Sequence, residues 1–198
     1  MSGLLDRVAP PDAATLARLH AGLVDRAARD GLLDIAYRTH DSPVGPLLLA
    51  TTPQGVVRVA FHTERHDVVL AALAVAVSPR ILEAPGRLDA VARQLDEYFD
   101  GRRRAFDVAV DLQLATGFRR AVLQHLRDIP YGTTQTYTDV ARAAGSPNAV
   151  RAAGSACATN PVPLVVPCHR VVRSDGTVGQ YRGGREAKRL LLSLEAAA

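Results

Sequence analysis

The hydrophobic pattern changes its period near Leu112, and that change limits the folds open to this chain. From Ile35 the stretch IAYRTHDSPVGPLLLATTPQGVVRVAFH carries short apolar runs broken by SPVGP and TPQG. Proline and glycine at such breaks punctuate strands, so two or three strands are predicted. VVRVAF alternates loosely, as a half-buried strand does. Residues 67–77 read as a helix. Residues 87–100, RLDAVARQLDEYFD, put Leu88, Val91, Leu95 and Tyr98 on one helical face, with Gly101 just past its end. Phe106, Val108 and Val110 then alternate as one more strand.

Beyond Leu112 the helical period takes over. TGFRRAVLQHLRDIP reads as a helix capped by Thr116, with Phe118, Val122 and Leu126 on its apolar face. YGTTQT is a turn. YTDVARAAG is a short helix ending at Gly145. SPNAVRAAGSACAT is another, with Ser146 as cap and Pro147 in the first turn. Two short helices joined by a tight Gly-Ser-Pro turn have the outline of a helix-turn-helix. The small residues of the second let its backbone approach either a neighbouring helix or a nucleic-acid groove. SDG marks a turn, GQYRGG a glycine-rich loop, and residues 185–195 a closing helix with Leu190, Leu191 and Leu194 facing inward. Ahead of all this, residues 12–30 space Leu16, Leu19, Leu23 and Ala27 as an amphipathic helix, capped by Asp12 after Pro10 and Pro11, whose apolar face either packs on the body, the favoured reading, or binds a partner.

The expectation is an α/β (α+β) protein in three parts. Residues 1–33 form a helical extension, 34–112 a mixed sheet with helices, and 113–198 a mostly helical unit. The 198 residues are 47% hydrophobic, enough for a proper core. No apolar run nears the roughly 18 residues of a membrane span. Two cysteines and no secretory signal point to a reducing, cytoplasmic compartment. Residues 1–112 hold 13 basic against 15 acidic side chains, while 113–198 hold 11 against 5. A polyanion therefore finds its complement in the C-terminal part. Arg102 to Arg104 form a triple that reads as a solvated loop rather than a phosphate contact.

The chemistry concentrates at LVVPCHRVV, where Cys168, His169 and Arg170 interrupt an apolar run. A buried cysteine is either an inert small hydrophobe or, beside a histidine, a nucleophile. In an extended segment Cys168 and His169 point to opposite faces, so cooperation needs a bend or a bridging water. A papain-like hydrolase separates its cysteine and histidine widely. Cys157, Cys168 and His169 do not make a familiar zinc set.

NPVPLVVPCHRVVRSDGTVGQYRGG resembles the active-site signature of the O6-alkylguanine-DNA alkyltransferases, the methylated-DNA–protein-cysteine methyltransferases. DSPVGPLLLA and LDEYFDGRRRAFDVAVDL are similar to that family's N-terminal domain, so the likeness runs from about Asp34 to Glu195. The resemblance implies a ribonuclease H-like N-terminal domain and a winged helix-turn-helix-like DNA-binding domain. It implies a transferase that repairs DNA by single-turnover, irreversible movement of an alkyl group from O6-alkylguanine to Cys168, with O4-alkylthymine left open. His169 would act through a water as the base, held by Glu195, and Asn160 would stabilise the turn before the cysteine. Tyr137 would bind the flipped base and donate a proton. Val171 and the Tyr181, Arg182, Gly183 loop would line the substrate pocket. Arg151 would fill the gap in the duplex, with Thr136, Ala152 and Ser155 on the DNA face.

The implied partner is double-stranded DNA entered from the minor groove, by a monomer whose cooperativity on DNA is left open. No cofactor, metal or membrane is implied. Two positions depart from the family pattern. Leu123 stands where Trp is common, altering packing more than chemistry, and Thr133 stands where Glu is common, changing a local contact.

Overall fold

The computed structural model describes residues 12–196. Four strands form the N-terminal sheet: β1 (Ile35–His40), β2 (Leu47–Thr52), β3 (Gly55–Phe61) and β4 (Ile81–Glu83), in the order β3-β2-β1-β4. The first three are antiparallel neighbours, and β4 lies parallel to β1, so the sheet is mixed. Strand alternation sorts the side chains. Leu47, Leu49, Val59 and Phe61 share a core with Leu88, Val91, Leu95 and Tyr98, the last three on α3 (Asp89–Phe99). Leu48, Ala50, Val57 and Ala60 face the other way, against Val69 and Leu73 of α2 (His66–Ala76). β3 was predicted half-buried. It is covered on both faces, and even Arg58 is buried, because helix covers one side and the C-terminal half the other.

Two other expectations give way. Phe106, Val108 and Val110 do not form a strand. Only Val110 makes a bridge, to Val56, while Phe106 and Val108 pack against the core from a loop. The helix α1 (Ala13–Arg29) is capped by Asp12, whose carboxylate accepts from Thr15 N at 2.7 Å. Its leucines do not pack inward as predicted: Leu16, Leu19 and Leu23 are 53%, 62% and 52% exposed. The helix is fastened instead by Ala27 and Val24 against Leu33, Ala36 and Ala84, and by His20 on the Glu83 carbonyl. The pair Pro10–Pro11 lies outside the described residues.

The C-terminal half holds α4 (Gly117–Leu126), β5 (Gln135–Thr136), α5 (Tyr137–Ala143), α6 (Val150–Ala158), β6 (Val171–Val172) and α7 (Gly184–Ala196). Thr116 sits at the N-cap of α4 without a side-chain cap bond. Ser146 does not cap α6. The helix starts after Ala149, and Ser146 instead begins a turn, its carbonyl accepting from Ala149 N. Leu191 is buried as expected, whereas Leu190 is 38% exposed. The N-terminal core cluster continues without a break through Val122, Leu123, Leu126 and Val140 to Cys168 and Leu191. Among the described residues no helix is long and apolar enough to cross a membrane.

Candidate active site

Cys168 does not sit on an extended strand. Cys168–Arg170 is a single 3-10 turn that follows Pro167 and runs into β6. The approach to it is built by Asn160, just past α6 and fully buried. Its Nδ2 donates to the Val166 carbonyl at 2.8 Å and to Cys168 Sγ at 3.1 Å, while its Oδ1 accepts from Val162 N at 3.0 Å. One side chain thus ties both ends of the 160–168 loop and reaches the thiol. Within that loop Leu164 adopts φ +73°, a conformation costly for a residue with a Cβ and held here by the packed surroundings.

Cys168 is 2% exposed. Burial pushes the Cys168 thiol up to about 11, against the Asn160 hydrogen bond and the nearby charges of Lys188 and Arg182, which favour the thiolate. At neutral pH it therefore carries its proton, and its reactivity depends on a base. His169 is completely buried, and burial lowers its pKa below the ordinary value, so the imidazole is neutral. His169 Nε2 lies 2.8 Å from Glu195 Oε1, and its Nδ1 is buried with no protein partner. With Nε2–H donating to the carboxylate, Nδ1 is the nitrogen whose lone pair is left to take a proton.

Besides His169, Glu195, near the end of α7, gathers donors from three further residues. Arg170 Nε and Nη2 reach it at 2.9 and 3.0 Å, Tyr98 Oη at 2.7 Å, and Gly132 N at 3.1 Å. Burial alone would raise its pKa. The hydrogen bonds from His169 and Arg170 overcome that and hold it at about 2. Arg170 also donates to the Ile129 carbonyl at 2.6 Å.

α5 and the glycine-rich loop stand near Cys168, which is felt electrostatically at Tyr137 and Tyr181. Tyr137 opens α5, and burial raises its hydroxyl to about 12. A Cβ at Gly179 would fall 2.6 Å from that hydroxyl, so only glycine lets the loop pass so close. Tyr181 is buried at the edge of the His169 ring, with centroids 6.3 Å apart. Val171 lends its carbonyl to Lys188 Nζ, and one further lone pair remains on that oxygen. On α6, Arg151, Ala152 and Ser155 are exposed along one face, while Ala153, Ala156 and Cys157 face the core. Thr136 is committed locally. Its hydroxyl caps α5 by accepting from Asp139 N at 3.2 Å, and Asp139 Oδ2 accepts from both Thr136 N and its hydroxyl.

Comparison with known proteins places this arrangement. Residues 117–197 match the family model described as the 6-O-methylguanine DNA methyltransferase DNA-binding domain, and residues 35–112 match the ribonuclease-like domain of the same proteins. The chain belongs to the O6-methylguanine-DNA methyltransferase family. It is similar to the methylated-DNA–protein-cysteine methyltransferase of Methanosarcina barkeri, 36% identical over 80% of this chain and 96% of the relative. The Mycobacterium tuberculosis enzyme of the same name is 39% identical over 81% of this chain and 92% of the relative. Crystal structures from M. tuberculosis are likewise similar. Its O6-methylguanine methyltransferase aligns with TM-score 0.73, and its OGT in complex with DNA with 0.70. Each is 36% identical over 82% of this chain and 93% of theirs.

For a methyltransferase of this family, sequence reasoning overlooked three residues at the site. Lys188, fully buried, reaches the Val171 carbonyl and lies 6.0 Å from the Tyr137 ring centroid. Its signal was in plain view, as the single lysine among 24 basic residues. Tyr98 passed for plain core, and Arg170 for part of a motif, yet both hold Glu195. Among the described residues no cluster of three or more His, Cys, Asp or Glu is placed to hold a metal ion.

Proposed function

We propose that this chain repairs alkylated DNA by moving the alkyl group of O6-alkylguanine onto Cys168, once per molecule. The observation that carries the reading is a buried thiol held by Asn160 and followed by a neutral histidine whose Nε2 is committed to Glu195. In the step, the S–C bond forms as the C–O6 bond breaks. The thiol proton passes to His169 Nδ1, directly or through one water, and the imidazolium is stabilised by Glu195. Tyr137, protonated at neutral pH, donates to the departing guanine. The alkyl donor arrives on the DNA, so no cofactor enters. The thioether is stable, which makes the transfer irreversible.

A base inside a duplex stack cannot reach a buried sulfur, so the nucleotide must be extruded. The exposed Arg151 of α6 is the residue to fill the vacated stack, with Ala152 and Ser155 against the minor groove. The +6 balance of residues 113–198 supports a polyanionic partner. We divide the chain at 33/34 and 112/113, treat it as a monomer, and place it in the cytoplasm, where two free buried thiols persist.

The test is exposure to duplex DNA carrying labelled O6-methylguanine. Label is expected on the Cys168 peptide in a one-to-one ratio, and its release as methanol would show hydrolysis instead. The transfer rate is expected to stay level through neutral pH and to fall only below about 6.5 as His169 gains its proton, since its pKa lies under that ordinary value. A single-turnover pH profile whose acid limb begins above pH 7 would exclude His169 as the base. Arg151→Ala is expected to slow repair in duplex DNA about tenfold, or ~1.4 kcal/mol, while sparing transfer from the free base O6-benzylguanine. Equal loss on both substrates would remove the wedge.

A further inference from the structure

The pocket loop is gripped from the opposite half of the molecule. Glu64 belongs to the 3-10 turn His62–Glu64 that follows β3, and its Oε2 accepts from both Arg182 Nε and Arg58 Nη2. Its Oε1 accepts from Phe61 N at 3.0 Å, which fixes the carboxylate against its own turn. Side-chain exposures are 11% for Glu64, 8% for Arg58 and 29% for Arg182, so the carboxylate is buried and only the Arg182 end of the contact is partly exposed. Arg119 adds a third positive charge close to Arg58, leaving Glu64 as the carboxylate that balances them. Beside this contact Phe61 meets Tyr181 edge-on at 5.5 Å, and a Cβ on Gly183 would strike the Phe61 ring at 2.6–2.8 Å. Arg65, next to Glu64, holds φ +55°, so the backbone there is constrained as well.

We propose that the Glu64–Arg182 ion pair is a latch that holds the Tyr181–Gly183 loop closed over Cys168, and so restricts the alkyl groups the thiol accepts. Glu64 and the Arg182 side chain are positioning residues, and the inference rests on the transfer reading given above. Tyr181 lies against His169, and the charge of Arg182 is felt at the thiol, so the loop borders the space an incoming alkyl group must enter. Fixed by the latch, the loop presents its backbone N–H groups to O6 at no ordering cost, which favours a small substituent. Released, it yields room to a large one and loses that preorganisation.

The experiment measures single-turnover transfer from duplex oligonucleotides bearing O6-methylguanine or O6-benzylguanine. Arg182→Gln leaves the buried Glu64–Arg58 pair intact, so the fold is not at stake. It is expected to raise the benzyl-to-methyl rate ratio about fivefold, the scale of one lost, partly exposed ion pair. Arg182→Lys, which keeps the charge, is expected to restore most of the wild-type ratio, and Glu64→Gln to shift it as Arg182→Gln does. General destabilisation would lower both rates together and leave the ratio alone. A ratio unchanged in Arg182→Gln, or shifted equally by Arg182→Lys, overturns the latch. Absence of methyl uptake by the wild-type chain would instead overturn the transfer reading itself.

Discussion

Cys168→Ser is expected to take up no alkyl group at all, while keeping its fold and its affinity for alkylated DNA. The replacement changes one atom in a site 2% exposed, and Asn160 Nδ2 can donate to a hydroxyl oxygen as it does to sulfur. What is lost is the ionisation. The thiol already stands at about 11, so its thiolate forms only with the help of His169. A serine hydroxyl is far less acid than a thiol and a weaker nucleophile toward an alkyl carbon, so the same neutral imidazole, its pKa lowered by burial, leaves it unreactive. Intact-mass measurement after exposure to methylated duplex checks this, alongside a gel-shift titration. Demethylated DNA in the presence of the serine protein would move the acceptor to another residue, with Cys157 the first to examine.

The second large effect concerns Glu195. Replacing it by alanine strands Arg170 and His169, both buried, and is expected to cost about 3–5 kcal/mol of stability. Transfer is expected to slow at least ~100-fold, because the imidazole loses the partner that sets its tautomer and stabilises its charge. The same carboxylate gives the protein an acid limit. Its folded pKa of about 2 lies below the ordinary 4.5, so the deprotonated form favours folding. The contribution is complete above pH 4.5 and is lost as pH falls toward 2. Its size is of order 3 kcal/mol by linkage. Denaturant titrations from pH 6 to pH 2 check it: the wild-type protein should lose this increment and Glu195→Ala should not. A parallel decline in both would show that the increment comes from other carboxylates.

Much of this site was readable in the residues, and the unread part has a common cause. Cys168, His169 and Asn160 lie within ten positions of one another, and a local motif carries them. Cooperation between these neighbours needs a bend or a bridging water, and the backbone at Cys168–Arg170 is a 3-10 turn rather than an extended strand. Tyr98 shows where local pattern ends. Its helical spacing placed it correctly in the core, but spacing has no means of showing a hydroxyl bound to a carboxylate 97 positions later. Glu64 and Arg182 are 118 positions apart and equally silent in sequence. The leucines of α1 failed for the opposite reason. Amphipathic spacing shows that a helix has an apolar face, and only the neighbouring surface decides whether that face is covered.

The unbroken core has a thermodynamic consequence. Leu47 and Leu49 of the sheet and Leu191 of the last helix belong to one buried cluster, and Tyr98 crosses from one half to hydrogen-bond in the other. Each half, separated, would expose the apolar wall it now presses against its neighbour. Melting should therefore appear as a single calorimetric endotherm whose van't Hoff and calorimetric enthalpies agree. Any severed C-terminal fragment, although it retains every atom of the acceptor, should be a poorly ordered chain rather than a smaller enzyme.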